Sequence, residues 1–193
     1  MAPRGSTVAG VDVAMSGLVL AGGASRRMGT DKALLLLDGE PMVLRAVRCL
    51  SPICAEVLVA SGDGRRLDHL GLRQVADTIP GAGPLAGIAA GLQAAANPLV
   101  AVIAVDMPHA NPNVVLRLAR SWAGEPAVIP VVGGRPEPLH AVWARSAAPA
   151  LVAFLQGGGR AVKEALSVLG ARLVDLDGAM AFVTNVNAPE DLP

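Results

Sequence analysis

Thirteen consecutive residues carry the strongest chemical signal in the chain: Leu20-Ala21-Gly22-Gly23-Ala24-Ser25-Arg26-Arg27-Met28-Gly29-Thr30-Asp31-Lys32. Paired glycines let a ligand approach the backbone and turn peptide N–H groups into anion donors. Arg26 and Arg27 add planar cationic forks, and Lys32 adds a compact ammonium. A bound triphosphate needs this mixture of close backbone donors and fixed positive charge. The glycines alone would suit an ordinary turn with solvated arginines beside it. The lysine is what stands out, because Lys163 is the only other one in the chain and the remaining cations are arginine. Two better-known phosphate loops fail on spelling. A P-loop needs Gly-Lys-Ser/Thr, but Gly29 is followed by Thr-Asp-Lys. Gly22-Gly23 does not supply the Gly-x-Gly-x-x-Gly of a dinucleotide site.

The other candidates lie in shorter stretches. Asp106, in Val105-Asp106-Met107-Pro108, follows an almost purely apolar run. A carboxylate at the end of a strand can hold Mg²⁺ against phosphate oxygens, although Asp before Met-Pro is also a common turn former. Asp77 precedes Gly81-Ala82-Gly83-Pro84-Leu85-Ala86-Gly87, in which Gly83 would open a helix and leave its N–H groups for an anion or a base edge. Asn185 and Asn187 stand in Thr184-Asn185-Val186-Asn187-Ala188-Pro189. Each amide can both donate and accept, and Asn187 also reads as a helix N-cap. His140 lies in an apolar stretch, where a histidine is more often a hydrogen-bonded core residue than a ligand contact. Arg160 follows Gly157-Gly158-Gly159, either an anion-binding nest or a plain interhelical turn. His69 and His109 read as surface residues.

These groups need elements to position them. Residues 17–21, 56–60 and 99–105 are short apolar runs and read as buried strands, with 73–76 a weaker one. The run 99–105 is apolar throughout and should be central, covered on both faces. Residues 42–50, 84–96 and 112–122 carry helical patterns. Asn97-Pro98 stops the second, and Asn111 with Pro112 caps the third. Residues 127–132 and 139–144 read as strands around the turn Gly133-Gly134. Residues 147–155 and 160–169 read as helices, and 172–176 as a late strand. The alternation implies a three-layer α/β/α, Rossmann-like nucleotide-binding fold with a mostly parallel central sheet. Ligands then belong at the carboxyl ends of the strands.

Composition narrows the choice of partners. A length of 193 residues suits one domain. Zero formal net charge gives no general attraction to nucleic acid or to an anionic membrane, so neither is an expected partner. Two cysteines, Cys49 and Cys54, exclude a disulfide scaffold and a four-cysteine zinc site, and read as buried reduced thiols. No apolar run reaches the roughly 18 residues of a membrane span. Residues 1–16 have no secretory h-region and read as a flexible leader, with Met15 as a candidate initiator. The expected location is the cytoplasm.

The string from Leu20 to Lys32 resembles the Leu-Ala-Gly-Gly-x-Ser-x-Arg-Met-Gly-x-x-Lys signature of the molybdenum cofactor nucleotidyltransferases. It is most similar to their guanylyltransferase branch, since cytidine-using relatives usually show Ala-Ala-Gly. The likeness runs from about residue 17 to 192, which implies a single nucleotidyltransferase domain over 17–193. It implies that Leu20, Ala21, Gly22, Gly23 and Ser25 bind GTP, with Lys32 and Arg26 on its phosphates and Asp106 on Mg²⁺. Asp77 and Gly83, in a segment resembling the family's Gly-Pro-Leu-Ala-Gly, would contact the nucleotide. Asn185, Asn187, His140 and Arg160 would face the acceptor, Mo-molybdopterin. The family often has an asparagine after the second strand, where this chain has Ala60-Ser61-Gly62-Asp63, so Ser61 would have to substitute. The implied reaction is transfer of GMP from GTP to Mo-molybdopterin, with transient contact to cofactor-synthesis or acceptor proteins. A cytidylyl- or sugar-phosphate nucleotidyltransferase, or a nucleotide-binding protein without catalysis, are the alternatives.

Overall fold

A computed structural model describes residues 13–22 and 31–176. One mixed sheet runs through them, built from β1 (Met15–Leu20), β4 (Glu56–Gly62), β5 (Gln74–Ala76), β6 (Leu99–Ala104), β7 (Ala127–Val132), β8 (Arg135–Pro136), β9 (His140–Ala144) and β10 (Arg172–Asp175). A small hairpin, β2 (Leu36–Leu37) with β3 (Glu40–Pro41), stands apart from it. Across the sheet the order is β10-β7-β9-β6-β1-β4-β5, with β8 paired to β7 alone. The apolar runs at β1 and β6 are buried along their whole length and pair in parallel at the centre. β4 and β5 extend the parallel part. Only β9, between β6 and β7, and the short β8 run against their neighbours.

Helices cover both faces, as the fully apolar central strands require. On one face α1 (Met42–Leu50) and α3 (Pro112–Ser121) pack over Val19, Ala101 and Ile103. On the other, α2 (Pro84–Ala94), α4 (Ala148–Gln156) and α5 (Val162–Leu169) cover Leu18, Leu58, Val100 and Trp143. α2 lies so close to β1 that a Cβ on Gly91 would fall 2.2 Å from Leu18 Cδ2, which explains its run of glycine and alanine. α3 starts as its sequence dictates: the Asn111 side chain accepts a hydrogen bond from Asn113 N at 2.9 Å, and Pro112 occupies the first turn. Among the described residues no helix is long and apolar enough to cross a membrane.

The strands depart from the sequence reading in two places that matter for the sheet. β1 opens at Met15, not at residue 17, and Met15 and Ser16 are buried, so they belong to the sheet and not to a leader. Hydrogen bonding explains this: residues flanking a short apolar run are drawn into the ladder when both neighbours offer partners, here Leu99 and Val100 opposite Met15 and Ser16. Gly133-Gly134 turns β7 into β8 and not directly into β9. β9 then returns beside β6, pairing Ile103 with His140. Cys49 and Cys54 are free, half-buried thiols, and burial pushes both upward, Cys54 to about 12.

Candidate active site at the carboxyl ends of the parallel strands

The chain leaves β1, builds β4 and β5 on one side, and then crosses to β6 on the other. That reversal opens a crevice at the carboxyl end of β1, the usual ligand position of open α/β sheets. Backbone bonds fix its floor. Ala21 N donates to Ala60 O at 2.9 Å, and Val105 N donates to Leu20 O at 3.0 Å. The ends of β1, β4 and β6 are therefore level. Leu20 and Ala21 bury their side chains and offer only backbone here. Gly22 is exposed, and a Cβ on it would lie 3.3 Å from Gly62 N, so a side chain would crowd the end of β4.

Lys32 opens a short 3-10 turn, Lys32–Leu34, whose cap is Asp31: its Oδ1 accepts from Ala33 N at 3.0 Å. Asp106 follows β6 by two residues, in a turn closed by Met107 N donating to Ala104 O at 3.2 Å. The two come together across the crevice, with Lys32 Nζ 3.6 Å from Asp106 Oδ2 and about a quarter of each side chain exposed (23% and 26%). They are 74 positions apart in sequence, and the parallel pairing of β1 with β6 sets the two strand ends they follow side by side.

Asp77 follows β5 and donates its N–H to Gly62 O at 2.9 Å. Its side chain leans on the first turns of α2, where a Cβ on Gly87 would lie 3.4 Å from its Oδ1. Partial burial lifts its carboxyl above the ordinary value, and the Arg66 guanidinium opposes that shift. Gly83 caps α2 at φ 76° and is exposed, so the helix N-terminus opens beside Asp77, as expected.

Other expected residues sit differently. Ser61 is buried, and its Oγ accepts from Gly64 N at 3.1 Å. Its hydroxyl holds the turn that follows β4. His140 is fully buried, and burial pushes its imidazole down to about 4, with a hydrogen bond to the Asn111 backbone opposing the shift. An acceptor cannot touch a ring with no exposed surface, so His140 is a neutral core residue. Arg160 Nη1 donates to Leu155 O at 2.8 Å and Gly159 O at 2.6 Å, closing the end of its own loop. Gly23, Ser25, Arg26, Asn185 and Asn187 lie outside the described residues.

One residue was not anticipated. Arg66, from the β4–β5 connection, reaches Asp31 and the Ala21 carbonyl, and its Nε donates to Ser61 O at 2.7 Å. The available signal was an arginine pair after Gly62-Asp63-Gly64, a turn at the end of a buried strand.

Comparison with known proteins agrees with this layout. The model of a family described as MobA-like NTP transferase domain matches residues 17–170. A probable molybdenum cofactor guanylyltransferase of Chloroflexus aggregans is 40% identical over 195 residues, covering 94% of this chain and 93% of that protein. A molybdenum cofactor guanylyltransferase of Cereibacter sphaeroides is 39% identical over 183 residues, covering 91% and 92%. The crystal structure of molybdopterin-guanine dinucleotide biosynthesis protein A from Archaeoglobus fulgidus superposes with a TM-score of 0.79 at 29% identity, over 92% of this chain and 95% of that one.

Proposed function

The chain belongs to the MobA-like NTP transferase family, and from that premise we propose that it is a molybdenum cofactor guanylyltransferase. It joins GMP from GTP to Mo-molybdopterin and releases pyrophosphate. The observation that carries the reading is the meeting of Lys32 and Asp106 at 3.6 Å across the crevice at the end of β1. A triphosphate leaving the exposed backbone of Gly22 has both groups ahead of it.

The acceptor's terminal phosphate oxygen attacks the α-phosphorus of GTP. A new P–O bond forms, and the bond to the β,γ-pyrophosphate breaks, the electron pair leaving with pyrophosphate. That nucleophile is already anionic at neutral pH, so the site needs no strong general base. Alignment and charge neutralisation supply the catalysis. The N–H groups around Gly22 cradle the phosphates, and Lys32 stabilises the departing pyrophosphate. Asp77 and the N-terminus of α2 at Gly83 hold the nucleoside end. Arg26, Gly23 and Ser25 complete the phosphate side, and Asn185 and Asn187 the acceptor side.

Asp106 is the residue that would hold Mg²⁺. One strand-end carboxylate together with substrate phosphates is a donor set that Mg²⁺ takes readily, and no group of three His, Cys, Asp or Glu among the described residues offers a cage of protein ligands. When bound, the ion neutralises charge on the phosphate oxygens. The reaction belongs to the cytoplasm, with the acceptor passed on through transient protein contacts.

The test is pyrophosphate release with GTP, Mg²⁺ and molybdopterin-loaded acceptor, run against CTP and against sugar phosphates. Release with GTP, little with CTP and none with sugar phosphates is expected. A preference for CTP would move the chain to the cytidylyl branch, and nucleotide binding without release would make it a binding protein.

A further inference from the structure

We propose that Arg66 is a positioning residue for Lys32, acting through Asp31. The proposal rests on the nucleotidyl-transfer reading of the same crevice. One guanidinium serves three acceptors that belong to three different segments: the Ala21 carbonyl just past β1, the Ser61 carbonyl in the last part of β4, and Asp31 Oδ2. Asp31 divides its carboxylate. Oδ2 takes Arg66, while Oδ1 caps the turn that begins at Lys32. Ala21 and Asp31 lie on either side of the glycine-rich string, so a single side chain from the β4–β5 connection holds both of its flanks.

Arg66 is itself held in place. Asp63 Oδ1 accepts from Arg65 N at 3.0 Å and Arg66 N at 2.9 Å, an Asx turn that fixes the backbone from which the side chain leaves. The planar fork matches three fixed acceptors, which a single ammonium could not reach together. Asp63 thus holds Arg66, Arg66 holds Asp31, and Asp31 caps the turn that carries Lys32, whose amine faces Asp106. This linkage runs through the β4–β5 turn, so that turn shapes the phosphate side of the site.

The test is a mutant cycle read by GTP-dependent pyrophosphate release, with thermal melting to confirm folding. Arg66→Gln should lower kcat on the order of 10²-fold, the scale of a misplaced catalytic group. In the Lys32→Ala background the same substitution should change kcat less than about twofold, because its effect passes through Lys32. Equal factors in the two backgrounds would overturn the proposal, since a residue that merely stabilises the fold acts regardless of Lys32. Arg66→Lys should stay within about threefold of Arg66→Gln, and full recovery would show that charge alone suffices and overturn the proposal. A second readout needs no turnover: trace labelling of amines with acetic anhydride, scored as Lys32 over the exposed Lys163. Arg66→Gln should raise that ratio several-fold as the Lys32–Asp106 pair loosens, and an unchanged ratio would overturn the proposal. A wild-type protein inert with GTP would sink the functional reading alone, leaving the labelling ratio to decide the role of Arg66.

Discussion

The two ends of the same parallel strands treat their polar groups in opposite ways. At the amino end, Ser16 is fully buried, and its hydroxyl donates to Glu56 Oε1 at 2.6 Å while accepting from Asn97 N at 3.2 Å and Asn97 Nδ2 at 3.0 Å. Ala96 N adds a bond to Glu56 at 2.7 Å, and Arg73 closes the cluster. These groups satisfy one another and tie β1, β4 and the α2–β6 connection together. At the carboxyl end, Lys32 and Asp106 stand 3.6 Å apart, beyond hydrogen-bond range, in partial contact with water. Such a pair contributes at most about 1 kcal/mol to stability. A ligand can part it at little cost. The lesson is that the amino end satisfies its polar groups among themselves, whereas at the carboxyl end Arg66 ties the backbone down and leaves the Lys32–Asp106 pair loose for a ligand.

Breaking the loose pair sets the largest expected effect. Lys32→Ala and Asp106→Ala should each lower kcat for pyrophosphate release by at least 10²–10³-fold, the order seen when one preorganised charge-stabilising group is removed. Each should leave unfolding free energy within about 1 kcal/mol of wild type, as befits a partly exposed pair beyond hydrogen-bond range. Stopped kinetics and chemical denaturation on the same preparations check both halves. Near-normal turnover would remove these residues from catalysis. A large loss of stability would place the pair with the amino-end cluster and erase the contrast.

His140 sharpens the comparison, because it lies at the carboxyl end yet behaves like the core. It pairs with Ile103, three positions before Asp106, and has no exposed surface. Its pKa falls from 6.5 to about 4 on burial. A group whose folded pKa is depressed gives its full stability above the unfolded value and loses it as pH falls through the folded one. Stability should therefore decline between pH 6.5 and 4, by up to about 3 kcal/mol from this residue. His140→Met should flatten that part of the pH–stability curve, measured by urea denaturation at half-unit steps. An unchanged slope would mean that other groups set it.

How much of this was legible depends on whether the cause was local. The strand ending before Asp106 and the Asn111 cap both follow from neighbouring residues. Apolar runs and cap spacing carry their own physics. The proximity of Lys32 to Asp106 could be expected only through the rule that ligands gather at strand ends, and the pairing of β1 with β6 together with the turn capped by Asp31 supplies the distance. Arg66 was illegible because its partners Ala21, Asp31 and Ser61 come from elements that only the tertiary fold assembles. The same holds for Ser61 and His140. Their residue types allow either a buried or a ligand-facing role, and the separate places of β4 and of β9 in the sheet decide which. The placement of β9 between β6 and β7 was likewise not encoded in the Gly133-Gly134 turn that precedes it.

The smallest effect is expected at the closed amino end, and its direction should be the reverse of the first. Ser16→Ala removes a hydroxyl that donates to Glu56 and accepts from both Asn97 groups, so the partners it leaves behind lose bonds in a partly buried place. Stability should fall by about 1–3 kcal/mol, with kcat of the folded protein unchanged. The acid limb of the stability curve should change as well. Desolvation alone would raise the Glu56 carboxyl, but the bonds from Ser16, Ala96 and Arg73 outweigh it and hold the group below its ordinary value. A depressed folded pKa gives stability that is present above the unfolded value and lost as pH falls through the folded one. Without the Ser16 hydroxyl the depression shrinks, so the variant should show a shallower loss of stability in acid. Calorimetric melting across that range measures it. Should Ser16→Ala instead impair turnover while melting normally, the amino end would share in function, and the division of the sheet into a structural and a functional edge would fail.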